Sequence, residues 1–459
     1  MLFQTFTHKT YFPISAEKLF DWHERPGALE RLLLPWQKVI ILKSGQSLAN
    51  GTHVHLRIRI GPLWYDMEVE HCNYVKGRCF SDIQRRGPFA YWLHEHRFHP
   101  KGDGQSILED RIHYRMPLGR LGEWIAGSSV QRELERAFRY RHEVVYKDLV
   151  THAIPPETKL RRILVSGASG LIGRALTPYL RLQGHKVIYL SRTSGEATLR
   201  WSPESNTLEP RALSECAPDA VIHLAGEPIA QRWTANTKQR ILNSRIQGTR
   251  LLSERLAALR TPPKVLICAS GISLYGTRRD GVVDETSEVR RDGFLAETVH
   301  HWEAAATPAV QAGMRVVYLR IGVVLSPAGG ALAKMLPFFK VGLGASMGSG
   351  NQCLSWIALD DVVGACYHCL RGSNIQGVVN AVAPQNVSNA EFTNAVASVL
   401  HRKARIRLPR AAVALALGEM GIETLLSSQN VQPLRLLETD YCFRYPNINV
   451  ALAHFLGRS

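Results

Sequence analysis

The chain has 459 residues, 45% of them hydrophobic and 21% charged, which suits two or three soluble globular domains. No apolar run reaches the ~20 residues that span a bilayer, and eight scattered cysteines lack disulfide-framework spacing, so a cytoplasmic protein without membrane insertion is expected. The net charge of +17 is dispersed, with no dense Lys/Arg run or nucleic-acid reading motif. A phosphate-bearing cofactor and a solvated basic surface account for it, and no nucleic-acid partner is expected. The opening Met1-Leu-Phe-Gln-Thr-Phe lacks the charged-then-apolar pattern of a secretory signal.

Residues 1–152 read as one domain. Thr52–Ile60 and Tyr91–Phe98 alternate at period two, as half-buried strands do. Gly61-Pro62, Lys76-Gly77, Gly87-Pro88 and Gly102-Asp-Gly104 punctuate them as turns. A helical piece covers about Ala16 to Leu34, broken at Pro26-Gly27. From about Ser129 to Val150, the stripe Val130, Leu134, Phe138, Val145 and Leu149 predicts a long helix. The expectation is an α+β grip, an antiparallel sheet closed by its C-terminal helix.

Two histidine groups stand out as candidate metal ligands, His94, His96 and His99, and His53 with His55, each holding a His-x-His pair. On a strand, each pair puts both imidazoles on one face. Zinc needs three or four converging ligands. No third ligand has clear spacing, so the pairs read as hydrogen-bonded histidines of a half-buried face, and no metal is expected.

This part resembles the START-like (SRPBCC, polyketide cyclase-like) superfamily. The likeness rests on Phe20-Asp-Trp-His23 with Pro26-Gly27, Gly61-Pro-Leu63, Asp82 with Gly87-Pro-Phe89, His94-Glu-His96 and Phe138-Arg-Tyr-Arg-His142. It implies a curved sheet and a long helix around an apolar cavity, with an apolar ligand as the domain's partner.

Residues 153–160, polar and carrying Pro155-Pro156, read as a linker. A new domain, 161–385, opens on Arg161-Arg-Ile-Leu-Val-Ser-Gly-Ala-Ser-Gly-Leu-Ile-Gly173. The run Ile163–Val165 is a buried strand, and Leu171, Ile172, Ala175, Leu176 and Leu180 start an apolar helix stripe. Strand, glycine turn and helix make a dinucleotide-binding loop. Gly167 permits the tight turn, Gly170 lets the backbone approach a pyrophosphate, and Gly173 lets helix and strand pack closely. Ser169, Leu171 and Ile172 complete the cradle at the helix N-terminus, which favours phosphate.

The next strand, Lys186–Arg192, ends where NAD-binding domains place an acidic residue for the ribose 2′-hydroxyl. Ser191 and Arg192 stand there instead. A guanidinium pairs with a 2′-phosphate, so NADP is expected over NAD. Further strands follow at Ala220-Val-Ile-His-Leu-Ala-Gly226, Lys264–Ser270 and Arg315–Gly322, with a basic helix from about Thr234 to Leu259. Alternating strands and helices predict a parallel, doubly wound α/β Rossmann sheet. Ligands sit beyond the carboxyl ends of such strands, which adds Leu224, Ala225, Gly226 and Arg320 to the cofactor residues and brings Ser270 near them.

Nearly all of residues 161–458 resembles the epimerase-like branch of the atypical, extended short-chain dehydrogenase/reductases. The likeness rests on Ser166-Gly-Ala-Ser-Gly-Leu-Ile-Gly173, His223-Leu-Ala-Gly-Glu-Pro-Ile229, Arg232-Trp233, Ser244-Arg245, Tyr275-Gly276, Phe294-Leu-Ala-Glu297, Trp302-Glu303, Ser355-Trp-Ile357 and Asp360-Asp361. The tail, 386–459, fits that branch's small C-terminal domain through Asn389-Ala-Glu-Phe392, Gly418-Glu-Met420 and Phe443-Arg-Tyr-Pro446.

Enzymes of the wider superfamily exchange a proton through a tyrosine whose pKa is lowered by a lysine four residues on. Here the matching place reads Phe294-Leu-Ala-Glu-Thr298, and no Tyr-x-x-x-Lys occurs in the chain. Ser270 and Tyr275 are the remaining catalytic candidates, with Ser273 as an alternative hydroxyl and Glu285 as a substrate contact. Two functions follow. One is an NADP(H)-binding epimerase- or reductase-like enzyme for a small molecule. The other is a non-catalytic NADP(H)-binding regulatory or carrier protein.

Overall fold

The computed structural model describes residues 3–45, 47–151, 162–193, 195, 198–276 and 281–458. The expected linker, 153–160, lies outside them. Two compact units emerge, Met1–Ile154 with His454–Ser459, and Pro155–Ala453. No helix among the described residues is long and apolar enough to cross a membrane.

The first unit runs β1 (Gln4–Phe12), α1 (Ala16–Glu24), α2 (Ala28–Arg31), β2 (Val39–Lys43), β3 (His53–Ile60), β4 (Leu63–Val75), β5 (Cys79–Arg86), β6 (Tyr91–Pro100), β7 (Ser106–Arg115) and α3 (Arg120–Thr151). Its strands form one antiparallel sheet in the order β1-β7-β6-β5-β4-β3-β2. The β3–β4 hairpin turns at Gly61, whose φ of +59° suits glycine. Ser15 caps α1 by accepting from the Lys18 amide.

α3 starts nine residues before the Ser129 expected from the sequence. Gly122 and Gly127, poor helix formers, lie in its first turns. The stripe Leu121, Trp124 and Ile125 there is exposed rather than packed. Further along, Leu134, Ala137, Phe138 and Val144 pack with Phe6, Ile112 and Tyr114. Residues 454–458 belong to this unit. His454 bonds the Glu143 carboxylate at 2.9 Å and stacks on Tyr140, and the Leu456 carbonyl accepts from Arg136.

The second unit begins with β8 (Arg162–Ser166), α4 (Leu171–Leu182), β9 (Lys186–Ser191), β10 (Thr198–Ser202), β11 (Thr207–Leu208), α5 (Pro210–Cys216), β12 (Ala220–His223), α6 (Ala235–Ala257), β13 (Val265–Gly271), α7 (Phe294–Ala304) and, after the helix Thr307–Gln311, β14 (Arg315–Ile321). With the strand Gly377–Ala381 they build an eight-stranded sheet, ordered β11-β10-β9-β8-β12-β13-β14 and then that strand. All neighbours run parallel except the β10–β11 pair.

Both faces of this sheet are buried, which explains the uninterrupted apolar strands in the sequence. Ile163, Val165, Ile222 and Ile267 point to one face, covered by Leu176, Tyr179 and Leu180 of α4 and by Val362 and Cys366 of the helix Leu359–Arg371. Leu164, Val221 and Leu266 point to the other, under Leu251, Leu252 and Leu256 of α6. Each such side chain contributes ~1.5–3 kcal/mol by leaving water. Residues 386–453 fall within this same contact unit. They include a helix at Asn389–Val399, capped reciprocally by Ser388 and Glu391, and a helix at Arg410–Thr424 that kinks at Gly418.

Candidate functional site

The strand order places β8 between β9 and β12, so the chain winds one way from β8 to β10 and the other way from β12 to β14. In sheets of this kind, ligands bind where the order reverses. The 167–173 loop leaves β8 there, and Leu224 to Gly226 leave β12 beside it.

The three loop glycines answer different steric demands. Gly167 has φ +71°, and a Cβ on it would stand 2.7 Å from the Leu224 carbonyl carbon and 2.8 Å from the Ala225 nitrogen. Gly173 is packed against the loop itself, where a Cβ would meet the Gly167 oxygen at 2.3 Å. Gly170 faces open space on all but one side, with only that oxygen near, at 3.3 Å. It is the N-cap of α4, and no side chain caps that end of the helix. Amides aimed outward from an uncapped helix end, beside exposed Ser169 and Gly170, are what a pyrophosphate requires. The loop therefore fits a dinucleotide. Leu171 and Ile172 begin α4 half-buried.

Ser191 ends β9, and its hydroxyl lies 3.2 Å from that of Thr193. Arg192 follows, exposed at the rim. Gly226 has a neighbour that the sequence did not reveal. A Cβ there would stand 3.2 Å from the guanidinium carbon of Arg245. Arg245 donates to the Glu227 and Ile241 carbonyls and lies 5.1 Å over the Trp302 ring. Burial pulls its pKa down to about 10.

Under the loop runs a buried polar chain. Ser166 Oγ accepts from the Leu224 and Ala225 amides and lies 2.6 Å from His223 Nδ1. His223 Nε2 lies 3.0 Å from Thr249 Oγ1, which also accepts from Trp302 Nε1 at 2.9 Å. A hydroxyl that already accepts twice donates next, so Ser166 gives its proton to Nδ1 and the Nε2–H donates to Thr249. The network thus calls for a neutral imidazole, and burial lowers the His223 pKa to about 4.

Ser270 and Arg320 sit side by side at the ends of β13 and β14. Glu303 joins them. It accepts from Ser270 Oγ at 2.6 Å and from the Arg320 fork at 2.9 Å through each oxygen. Arg320 is buried, and burial opposes its charge, yet Glu303 outweighs that and raises its pKa. Tyr275 lies in a 3₁₀ turn after β13, fully buried, and its hydroxyl donates to Asn380 Oδ1 at 2.8 Å. The Arg320 guanidinium lies 4.9 Å from the Tyr275 ring centre, but burial still pushes the phenol pKa up. Asn380 connects onward, its backbone N–H donating to Glu285 Oε1 at 2.8 Å.

α7 carries Phe294 and Thr298, the residues that the sequence resemblance sets against a tyrosine and a lysine. Thr298 is buried and donates to the Phe294 carbonyl. The Phe294 and Leu295 amides are capped by the Glu423 carboxylate, both at 2.9 Å. Nearby, Trp233, Leu242, Phe294, Lys238 and Glu419 line a cleft of about 520 Å³. The Trp233 and Phe294 rings meet edge to face at 5.0 Å, and Lys238 pairs with Glu419 at 2.8 Å. Glu303, Glu423 and Arg245 were not assigned roles from sequence, because each acts on a partner far along the chain or on a neighbouring turn with no fixed motif.

Comparison with known proteins agrees with this geometry. A family model described as the NAD dependent epimerase/dehydratase family matches residues 163–381, and a domain of unknown function, DUF1731, matches 408–455. An epimerase family protein of Mycobacterium bovis is 43% identical over 299 residues, 64% of this chain and 98% of the relative. The crystal structure of human epimerase family protein SDR39U1 (isoform 2) with NADPH aligns at a TM-score of 0.59 and 35% identity, over 64% of this chain and 98% of that one. A nucleoside-diphosphate sugar epimerase of Corynebacterium glutamicum aligns at a TM-score of 0.80 and 31% identity, over 98% of this chain and 90% of that one. With relatives matched over nearly their whole length on a sheet of this order, the chain belongs to the NAD dependent epimerase family.

Proposed function

We propose that the chain binds NADP(H) and acts as an epimerase- or reductase-like enzyme on a small molecule. The observation that carries this reading is the open, uncapped N-terminus of α4 at the point where the strand order reverses. In this reading the 167–173 loop seats the pyrophosphate, Leu224 to Gly226 flank it, and Ser191 with Arg192 holds the 2′-phosphate. The human relative's structure with NADPH supports the choice of NADP. When bound, the cofactor supplies hydride transfer. Ser270, oriented by Glu303, and Tyr275, oriented by Asn380, are the hydroxyls assigned to handle the substrate's proton. Arg320, tied into the Glu303 clamp, fixes the cofactor end of the site.

A second reading has a specific observation in its favour. α7 carries Phe294 and Thr298 where an acid/base pair would stand, and both candidate hydroxyls already donate to protein acceptors. A protein that binds NADP(H) without turnover, as a carrier or regulator, fits that arrangement. NADPH fluorescence and consumption with a panel of carbonyl substrates separate the two. Turnover that falls at least 10-fold in Y275F supports the enzyme, whereas tight binding without turnover across the panel supports the carrier. R192A is expected to weaken NADPH about 10–100-fold, the worth of a charged hydrogen bond, while leaving NADH unchanged. Equal loss for both would remove Arg192 from the 2′-phosphate site.

For the first unit, the antiparallel sheet with a long helix supports a START-like grip with an apolar ligand as its partner. Native mass spectrometry of the full chain, before and after delipidation, tests that ligand. An unchanged mass ends the reading.

A further inference from the structure

The first unit gathers histidines and carboxylates that the nucleotide site does not use. β6 contributes His94 and His96, and β5, its neighbour in the sheet, contributes Asp82 opposite His94. One donor atom from each of the three lies within 4.8 Å of the others. This is the third ligand missing from the sequence pattern, because strand pairing brings it from twelve residues away.

The separations distinguish a ligand set from a hydrogen-bonded trio. Asp82 Oδ2 lies 3.5 Å from His96 Nε2 and 4.0 Å from His94 Nδ1. The longer exceeds hydrogen-bond range and the shorter is at its edge. Donors about 2.0–2.1 Å from a tetrahedral zinc stand roughly 3.3–3.4 Å apart, close to these values. The second cluster of this unit, His53, His55 and Glu68, differs. There both histidines reach one Glu68 oxygen at 2.9 and 3.0 Å, as ordinary hydrogen bonds do, and all three side chains are about a third exposed.

The surroundings are built as metal sites are built. Asp110 Oδ1 lies 2.7 Å from His94 Nε2, in an aligned hydrogen bond, and 2.7 Å from His96 Nδ1, a close contact without that alignment. One carboxylate oxygen therefore bonds the far nitrogen of His94 and sits against that of His96, and the near nitrogens are turned toward Asp82. Asp110 is itself anchored by His142, and Asp82 Oδ1 by His71. Carboxylates behind metal-bound imidazoles fix their tautomer and orientation in this way. Phe80 stacks on His96 at 4.1 Å and locks that ring.

We propose that Asp82, His94 and His96 bind a divalent transition ion, zinc by the chemistry of two imidazoles and a carboxylate, with Asp110 positioning both rings. Three protein donors leave a fourth position for water or for an oxygen of a ligand.

The test uses the full-length protein, stripped with a chelator and titrated with Co²⁺ as a spectroscopic probe. One equivalent of cobalt is expected to give intense tetrahedral d–d absorption in the wild type, displaced by one equivalent of Zn²⁺. The bands are expected to vanish in H96Q and in D82N and to persist in the double variant H53Q/H55Q. Absence of tetrahedral bands in the wild type overturns the proposal. So do bands that disappear with H53Q/H55Q and survive in H96Q. If H96Q fails to fold, D82N, which keeps the shape of the carboxylate, and the wild-type spectrum decide the question.

Discussion

In the first unit, buried histidines face carboxylates. In the second, His223 faces only hydroxyls. The effect on charge differs. Burial works against a charge on His96, yet Asp110 and Asp82 outweigh it and raise its pKa to about 9, whereas for His94 beside it burial wins and the pKa falls to about 4. Burial alone decides the case of His223 and lowers its pKa to about 4. Beneath its helix the first unit pairs Arg31 with Asp148 and gathers histidines around Asp82 and Asp110. The second pairs Arg320 with Glu303 and sets His223 among hydroxyls under an apolar sheet. A small antiparallel sheet with one helical layer has less apolar surface to bury than an eight-stranded sheet covered on both faces, so polar pairs take a larger part in specifying it.

The largest expected effect separates the two interiors. Arg31 holds Asp148 through two 2.9 Å bonds, and their side chains are 6% and 0% exposed. R31A removes that fork from a buried carboxylate, which costs about 3–5 kcal/mol. Hydrogen exchange should show β6 and β7 amides losing protection while β12 and β13 keep theirs. Equal loss in both sheets would mean the units do not unfold separately.

The second effect is acid sensitivity of the nucleotide-binding unit. His223 has a folded pKa of about 4 against 6.5 in an unfolded chain. A depressed folded value contributes stability that is fully present above pH 6.5 and is lost as pH falls through 4. The loss is about 3 kcal/mol across that window. H223Q should flatten the pH dependence of β8 and β12 protection between pH 6.5 and 4. A wild-type profile already flat there would refute the neutral-imidazole assignment.

The smallest effect sharpens the picture of the first unit. Burial opposes the charge on Glu143, but His454 and Lys147 outweigh it and hold the carboxyl down to about 2. Its contribution is present above pH 4.5 and disappears as pH falls toward 2. The pair is partly open to water, so E143Q should cost under ~1 kcal/mol at pH 7, with no difference from wild type at pH 2. Denaturant midpoints at the two pH values measure it.

The cofactor loop was legible in the sequence because it is local. Its strand, its glycines and its helix follow one another within about twenty residues, and Gly167 and Gly173 each answer a steric demand within that short stretch. Arg192 stands out for the same reason, as the residue after a recognisable strand, and R192A tests the role proposed for it. What the sequence hid is non-local. Glu423 caps Phe294 from 129 residues away, and Glu303 clamps Arg320 across neighbouring elements. Asp82 meets His94 only through strand register. The early start of α3 was hidden differently, since its first apolar residues pack on nothing and its glycines argue against a helix.

The docking of His454 beside Glu143 and Tyr140 has a consequence for synthesis on the ribosome. The two bonded residues are 311 apart. At ~5–20 residues per second, roughly 16–62 s pass between the emergence of Glu143 and that of its partner. The first unit therefore gains its His454 contacts only after residues 155–453 have been made.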